Sequence, residues 1–288
     1  MIRTADFNRS LSMMFSNTAF KQIAKTGENP YIFSKLKKYN KQLSVEPGKS
    51  VRDALEIAYG YLTKNYRNEY LYKNTIINNI LLGRHSLRTA TMLNEFKVGG
   101  SIADSVIING TSTVYEIKTE LDTRDKLQKQ LDDYRKAFTR IFLVTHHTLA
   151  KSYLYALQGT PVGLLSLSGR FNLTCVKEAE DDYTGLDNNI MMRCLKKSEY
   201  SDVIRQINGV LPNVSNIKFF AECLSIAKTV DPKLLHDLAL KQLRGRIPAE
   251  TSNLESDTLP KEIKHICLCI DPNQQEYENL FSFLNLNL

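Results

Sequence analysis

The stretch ADSVIINGTSTVYEIKTE, residues 103–120, decides how the rest of the sequence is interpreted. It predicts two β-strands joined by an Asn-Gly dipeptide, which favours hairpin turns. Asp104 lies on the first strand, while Glu116 and Lys118 lie two residues apart on the second and therefore share a face. A carboxylate beside an ammonium on a half-buried face costs free energy unless other groups pair with both. The stretch therefore indicates a functional site rather than ordinary core.

Two carboxylates and a lysine in this arrangement are typical of a site for a hard metal ion. Mg²⁺ is commonly held by one or two carboxylates together with water and phosphate oxygens. A neighbouring lysine can orient the attacking water or stabilise charge that develops on phosphate. Asp104, Glu116 and Lys118 therefore predict metal-assisted phosphodiester hydrolysis, with Mg²⁺ as the expected cofactor and Mn²⁺ as its alternative.

The turn between the two strands decides whether these side chains can meet. In a regular two-residue turn at Asn109 and Gly110, the numbers of facing residues sum to 219, so Asp104 would face Tyr115 and point away from Glu116. A shared metal requires an even sum. We therefore predict a bulge, an odd loop length or a bend that frees Asp104 from strict alternation.

The segments around the hairpin predict an α/β fold. Apolar spacing predicts helices through most of the first 90 residues, the last of them over SLRTATMLNEF. After the hairpin, TRDKLQKQLDDYRKAF predicts an amphipathic helix that Asp122 or Thr123 would cap, and RIFLVTH predicts a buried strand. A helix over residues 148–157 and a second hairpin that turns at 168–170 complete the core. We expect three layers, α/β/α, with a central mixed sheet flanked by helical N- and C-terminal segments.

The combination of motifs resembles the PD-(D/E)XK nuclease superfamily over residues 85–180. Asp104 matches its aspartate, with Ala103 where the looser motif often has proline, and Glu116-Ile117-Lys118 matches E-x-K. QLDDY then places a glutamine and a tyrosine at the Q-x-x-x-Y spacing of RecB-type nucleases. The segment is also similar to a group of uncharacterised bacterial proteins in this superfamily. E-x-K alone is unspecific, but its combination with the preceding aspartate and the following helix is much more specific.

The resemblance implies a restriction-endonuclease-like core and a set of metal ligands. Asp104, Glu116 and Glu95 would bind Mg²⁺, assisted by the main-chain carbonyl of Ile117. Glu95 would lie on the helix that opens such cores. The implied organisation has three parts: a basic helical region over 1–70, the nuclease-like core over 71–182 and a helical C-terminal region over 183–288.

The remaining implied roles concern the lysine and the helix that follows it. Lys118 would position the hydrolytic water, and Gln130 and Tyr134 would shape the pocket around substrate or lysine. Many of the relatives carry an arginine just before the Ala-Asp pair, where this chain has Ile102. That departure removes a phosphate contact and leaves the metal site intact.

Charge is distributed unevenly along the chain. Residues 1–90 hold 15 Lys and Arg against 6 Asp and Glu, whereas the remainder holds 23 against 25. Such a basic third either forms an ordinary solvated surface or attracts polyanions. We expect it to hold a nucleic-acid backbone without reading sequence, with DNA ahead of RNA as the partner.

Cysteine usage and hydropathy limit where the protein acts. The five cysteines show no C-x-x-C pairing, and an odd number in a long chain suits a reducing, cytoplasmic setting. No apolar run approaches the length that spans a bilayer, and the N-terminus lacks the features of a secretory signal. We therefore expect no membrane partner.

Two other classes of function remain open. The fold could serve as an inactive or weakly active module that binds nucleic acid or a protein partner, or as a protein-interaction scaffold. The complete set of two acids and a lysine favours the enzyme. His146 and His147, at the end of RIFLVTH, cannot both face one ion on a strand, and we expect them at a surface loop end.

Overall fold

The computed structural model describes residues 4–169 and 171–288, so the predicted second turn lies partly outside the described residues. The strands are β1 Thr91–Val98, β2 Ser101–Ile108, β3 Ser112–Lys118, β4 Arg140–His146, β5 Gly163–Leu167 and β6 Leu173–Lys177. The helices of the first part are α1 Thr4–Met14, α2 Asn17–Thr26, α3 Pro30–Leu43, α4 Val51–Asn65, α5 Glu69–Ile76, the π-helix Ile77–Leu81 and α6 Leu82–Arg84. The later helices are α7 Leu127–Tyr134, α8 His147–Ala156, α9 Asn188–Arg193, α10 Lys197–Asn208, α11 Asn216–Ala227, α12 Pro232–Arg244, α13 Thr251–Glu255, the 3₁₀-helix Lys261–Ile263, α14 Lys264–Ile270 and α15 Gln274–Leu284.

The six strands form one mixed sheet in the order β1-β2-β3-β4-β5-β6. β1, β2 and β3 are joined antiparallel, and β3 pairs parallel with β4. All of β3 and nearly all of β4 are buried, as expected of strands that are covered on both faces. The predicted α/β class, with a central mixed sheet and helical segments at both ends of the chain, is confirmed.

The loop of the first hairpin has three residues, 109–111, because Ile108 pairs with Ser112. Gly110 adopts a φ of 96°, a conformation that a side chain would strain. Ser105 consequently pairs with Tyr115, and the numbers of facing residues have an even sum. The predicted odd loop length is confirmed, and it places Asp104 in register with Glu116.

The predicted helix over SLRTATMLNEF is wrong, and with it the expected helical position of Glu95. Thr91–Val98 form β1, so Glu95 lies on a strand. The apolar residues of this segment do have helical spacing, but pairing with β2 satisfies their backbone groups and buries five of the eight residues. Tertiary pairing of this kind commonly outweighs local preference.

The β1–β2 ladder is distorted at the pair formed by Glu95 and Asp104. Asn94 pairs with Ser105 and Phe96 with Ala103, but the pair between them is skipped. Glu95 has a φ of 50°, the left-handed region that residues with a side chain rarely adopt. In each strand, side chains before and after this point face the same core although they are an odd number of residues apart. The alternation of side chains between the two faces of the sheet therefore shifts by one residue here in both strands.

α7 is shorter than its predicted sixteen-residue segment. Its apolar stripe is buried as expected, through Leu127, Leu131 and Tyr134. The predicted cap is wrong, because the Asp122 carboxylate instead accepts hydrogen bonds from the backbone N–H and the hydroxyl of Thr119. These bonds close a turn before the helix, which therefore begins at Leu127.

The chain divides into two compact units that are discontinuous in sequence. The first comprises Met1–Leu87, Leu167–Leu173 and Pro248–Leu288, and the second comprises Arg88–Ser166 and Thr174–Ile247. In the first unit the C-terminal helices α14 and α15 pack against α2. In the second unit the sheet and the helices α7 to α12 share one apolar core. Residues of the predicted C-terminal region 183–288 thus contribute to both units.

Among the described residues, none of the helices is both long and apolar enough to cross a bilayer. None of the five cysteines is joined in a disulfide bond.

Gly110 and Gly60 offer a matched test of the hairpin conformation. We expect Gly110→Ala to lower the free energy of unfolding by about 1 kcal/mol, because its positive φ strains any residue with a Cβ. No atom lies within 4 Å of the added Cβ at either position, so packing does not contribute. Gly60→Ala, inside α4, should raise the free energy of unfolding by about 0.5–1 kcal/mol. Chemical denaturation measures both changes, and a shift of the same sign in both variants would contradict this account.

Candidate active site

The carboxylate of Glu116 is the centre of the candidate site. The side chain lies on β3 and is only 1% exposed. Lys118 Nζ donates to Oε1 over 2.9 Å, and the Tyr134 hydroxyl lies 2.7 Å from Oε2. Each carboxylate oxygen therefore has a donor within hydrogen-bond distance, which helps to compensate for the loss of water around a buried charge.

The helix α7 supplies the second half of this network. Gln130 Oε1 accepts a hydrogen bond of 2.8 Å from Lys118 Nζ, and Gln130 Nε2 lies 3.5 Å from the Tyr134 hydroxyl. That hydroxyl also lies 2.7 Å from the main-chain carbonyl oxygen of Ile102, so its single proton is shared between this carbonyl and Glu116 Oε2. The Q-x-x-x-Y spacing thus places both side chains on the helix face that covers the E-x-K segment. The four predicted residues Glu116, Lys118, Gln130 and Tyr134 are brought together in one closed network.

Asp104 is held beside this network by the backbone of β3. Its Oδ2 accepts a hydrogen bond of 2.7 Å from the N–H of Ile117. The acceptor of this backbone N–H is thus a side-chain carboxylate and not a main-chain carbonyl of the neighbouring strand. The Ile117 group that contacts Asp104 is its N–H, not the carbonyl proposed as a metal ligand. Ile102 is 52% exposed, so the position where relatives carry an arginine faces solvent.

The distorted ladder brings a second acid to Asp104. Carboxylate oxygens of Glu95 and Asp104 lie within 4.8 Å of each other, with Glu95 exposed and Asp104 half-buried. Two carboxylates at this separation are ligands that a hard cation prefers. The donor set therefore fits Mg²⁺ or Mn²⁺, and Glu95 and Asp104 would hold the ion. Glu116 could join them only by giving up one of its two hydrogen bonds.

Burial dominates the electrostatics of the network. It raises the pKa of Glu116, while the charge of Lys118 and the hydrogen bonds from Lys118, Tyr134 and Gln130 act in the opposite direction. Burial and the neighbouring charge of Glu116 also raise the pKa of Tyr134. The phenol therefore keeps its proton and remains a donor. A further positive charge near Glu116 would lower its pKa and favour its ionised form.

His146 was expected at the surface, and that expectation is wrong. Its side chain is 2% exposed at the end of β4, whereas His147 is exposed at the start of α8 as expected. His146 Nδ1 lies 2.8 Å from the Thr148 hydroxyl and 3.1 Å from a carboxylate oxygen of Glu120. The continuous apolar run before it, which predicts a strand buried on both faces, was the available signal.

We expect Tyr134→Phe to lower the free energy of unfolding by about 1–3 kcal/mol, because it leaves a buried carboxylate oxygen without its donor. Chemical denaturation near neutral pH, where Glu116 is expected to ionise in the unfolded chain, measures the change. Tyr155→Phe is the matched control, because this tyrosine is 76% exposed, and it should change stability by less than about 0.5 kcal/mol. Equal changes in the two variants would show that the hydrogen bond from the Tyr134 hydroxyl to Glu116 does not stabilise the fold.

Comparison with known proteins supplies a family. Neither the curated proteins nor the solved structures include a significant match to the chain. Residues 63–266, more than two thirds of the chain, match the family described as bacteriophage P4 protein cII. The matched range includes every residue of the candidate site. The chain therefore belongs to the bacteriophage P4 protein cII family.

Proposed function

We propose that the chain is a metal-dependent nuclease that hydrolyses phosphodiester bonds, with DNA as its preferred substrate and Mg²⁺ as its cofactor. The observation that carries the proposal is the closed network of Glu116, Lys118, Gln130 and Tyr134 beside Asp104. A buried lysine fixed by two oxygen acceptors is costly to maintain for stability alone. The description of the family names a bacteriophage protein and states no chemistry, so the proposal rests on the geometry of the site.

The side chains would divide the chemistry between them. When bound, the metal would polarise the scissile phosphate and make its coordinated water more acidic. Asp104 and Glu95 would hold the ion. Lys118, kept in place by Glu116 and Gln130, would orient the attacking water or face the charge that develops on the phosphate. Tyr134 would hold the Glu116 carboxylate in the orientation that Lys118 requires.

One observation favours a second candidate, a module that binds nucleic acid or a protein without cutting. Both oxygens of Glu116 already have a donor of the chain itself within hydrogen-bond distance. The network is therefore complete without a metal, as expected of a site kept for structure. Cleavage assays separate the two candidates directly. The five cysteines, none of them in a disulfide bond, suit a reducing compartment, and we propose a cytoplasmic location for either activity.

The acidic and basic residues should have separable effects on cleavage. We expect Asp104→Ala to abolish metal binding and to reduce cleavage about 10³-fold, because a hard cation contributes several kcal/mol to the transition state. Lys118→Ala should leave the affinity for Mg²⁺ near that of the wild type and lower kcat about 10²- to 10³-fold. Calorimetry with Mg²⁺ or Mn²⁺ and cleavage of a panel of DNA and RNA substrates measure these changes.

Lys151→Ala is the control for the lysine, since Lys151 is an exposed residue of α8 in the same unit. It should cut at the rate of the wild type. If the wild type cuts no DNA or RNA with either metal, or if Glu116→Ala cuts as fast as the wild type, the nuclease proposal fails and the binding module replaces it.

The basic surface of α3 is our proposed contact with the phosphate backbone. Lys37 and Lys38 are exposed, and Lys35 and Lys37 lie 5.3 Å and 4.6 Å from the ring centres of Tyr31 and Phe33. Lysines beside aromatic rings can hold phosphate while the rings contact bases or sugars.

Charge reversal on α3 tests this surface. We expect simultaneous replacement of Lys35, Lys37 and Lys38 by Glu to weaken binding to all sequences alike. The slope of log affinity against log salt should fall by about 1 for each phosphate that the protein no longer neutralises. Reversal of three exposed lysines of the second unit, Lys151, Lys218 and Lys228, is the control. A salt slope that changes as much in the control as in the α3 variant would place the phosphate-binding surface elsewhere.

A further inference from the structure

The first unit contains a cavity of about 480 Å³ that the proposed active site does not use. Its walls come from α4, from the end of α5 with the π-helix that follows, from residues 261–262, and from Gly169 and Phe171. A volume of this order suits a small organic ligand. Short π-helical segments inside α-helices are frequent at functional sites, and here one contributes to the wall.

Glu262 supplies a buried acid to this cavity. The residue is 5% exposed, and its carboxylate accepts a hydrogen bond from its own backbone N–H. Among the described residues, no lysine or arginine nitrogen lies within the 4.0 Å of an ion pair with it. Burial raises its pKa, and the charge of Glu56 acts in the same direction, while its backbone hydrogen bond and the more distant charges of Lys261 and Arg52 act in the opposite direction. A buried ionised carboxylate that has no cation this close among the described residues costs free energy.

The other polar atoms on the wall are suited to accept hydrogen bonds. Asn78 Nδ2 donates to the carbonyl oxygens of Asn74 and Lys261 over 2.7 Å and 3.0 Å. With its amide group used in this way, Asn78 can offer a ligand its Oδ1, which is an acceptor. The rings of Tyr59 and Phe171 also line the cavity, and aromatic faces attract cations.

Gly60 leaves the space open. It lies inside α4, where glycine is less favourable than alanine. No atom lies within 4 Å of the position that its Cβ would occupy, so close packing does not require a glycine there. A larger side chain at this position would extend into the cavity.

From these contacts we propose that the cavity binds an organic cation, an ammonium or guanidinium on a short apolar stem, with its charge held by Glu262. The buried carboxylate disfavours an anionic ligand, and Oδ1 of Asn78 can accept a hydrogen bond from a ligand that is a donor. The aromatic rings can contact both the positive charge and the apolar stem of the ligand. Lys64 and Lys261 also line the cavity but are exposed residues, so their charges stay in contact with solvent. The inference is independent of the proposed nuclease activity.

Isothermal calorimetry on the full chain tests the proposal, with n-butylammonium and n-butylguanidinium as probes and n-butanol as the neutral control. We expect saturable one-to-one binding of at least one cation, a higher Tm in its presence, and no binding of n-butanol. Glu262→Gln should weaken binding about tenfold or more, since it removes the charge while keeping the shape. Glu46→Gln, an exposed acid of the same unit, should bind like the wild type.

Gly60→Leu tests the same cavity by volume and does not touch the charge. Leucine is a good helix former, so the variant should fold, and its side chain should abolish binding. Gly60→Ala should retain most of it. The proposal is overturned if the wild type shows no saturable binding up to millimolar cation, if n-butanol binds as well as the cations, or if Glu262→Gln and Gly60→Leu both bind like the wild type.

Discussion

Burial of the Glu116 carboxylate is the constraint on which the candidate site depends. A carboxylate at the centre of a sheet, 1% exposed, requires a donor for each oxygen, and the chain supplies them from two different elements. Lys118 comes from the same strand, and Tyr134 comes from the helix that crosses over it. Lys118 in turn needs a second acceptor, which is Gln130. One buried charge thus connects β3 to α7, because the side chains of the E-x-K segment and of the Q-x-x-x-Y helix share one hydrogen-bond network.

The first hairpin provides the other half of the site, and its geometry is equally specific. A three-residue loop at 109–111 sets a register that brings Asp104 to the side of Glu116. The ladder with β1 is interrupted at Glu95 and Asp104, and there the side chain of Asp104 accepts a hydrogen bond from the N–H of Ile117. Irregular backbone of this kind is common beside functional sites, where it redirects side chains that regular pleating would hold apart. It also explains how two acids from neighbouring strands approach each other.

The two units of the chain present buried carboxylates in different settings. Glu116 in the second unit is surrounded by donors, and this suits a residue that positions a lysine. Glu262 in the first unit lines a cavity, and among the described residues no lysine or arginine nitrogen lies within 4.0 Å of its carboxylate, which suits the proposed role of binding a cationic ligand. Membership of the bacteriophage P4 protein cII family covers both settings, because the matched residues 63–266 include Glu116 and Glu262.

The sequence by itself determined the α/β class, the hairpin, the buried strand β4 and the group of site residues, because each depends on spacing along the chain. Period-two alternation and an Asn-Gly turn identify adjacent strands, and i,i+4 spacing places Gln130 and Tyr134 on one face of a helix. Only the tertiary structure decided that residues 91–98 pair as a strand, although their apolar residues also have helical spacing. It also decided that Asp122 closes a turn instead of capping α7, and that His146 is buried. Residues 91–98 depend on pairing with β2, Asp122 bonds to the nearby Thr119, and His146 contacts Thr148 and Glu120. The spacing of apolar residues along the chain does not specify any of these partners, so it could not decide these three outcomes.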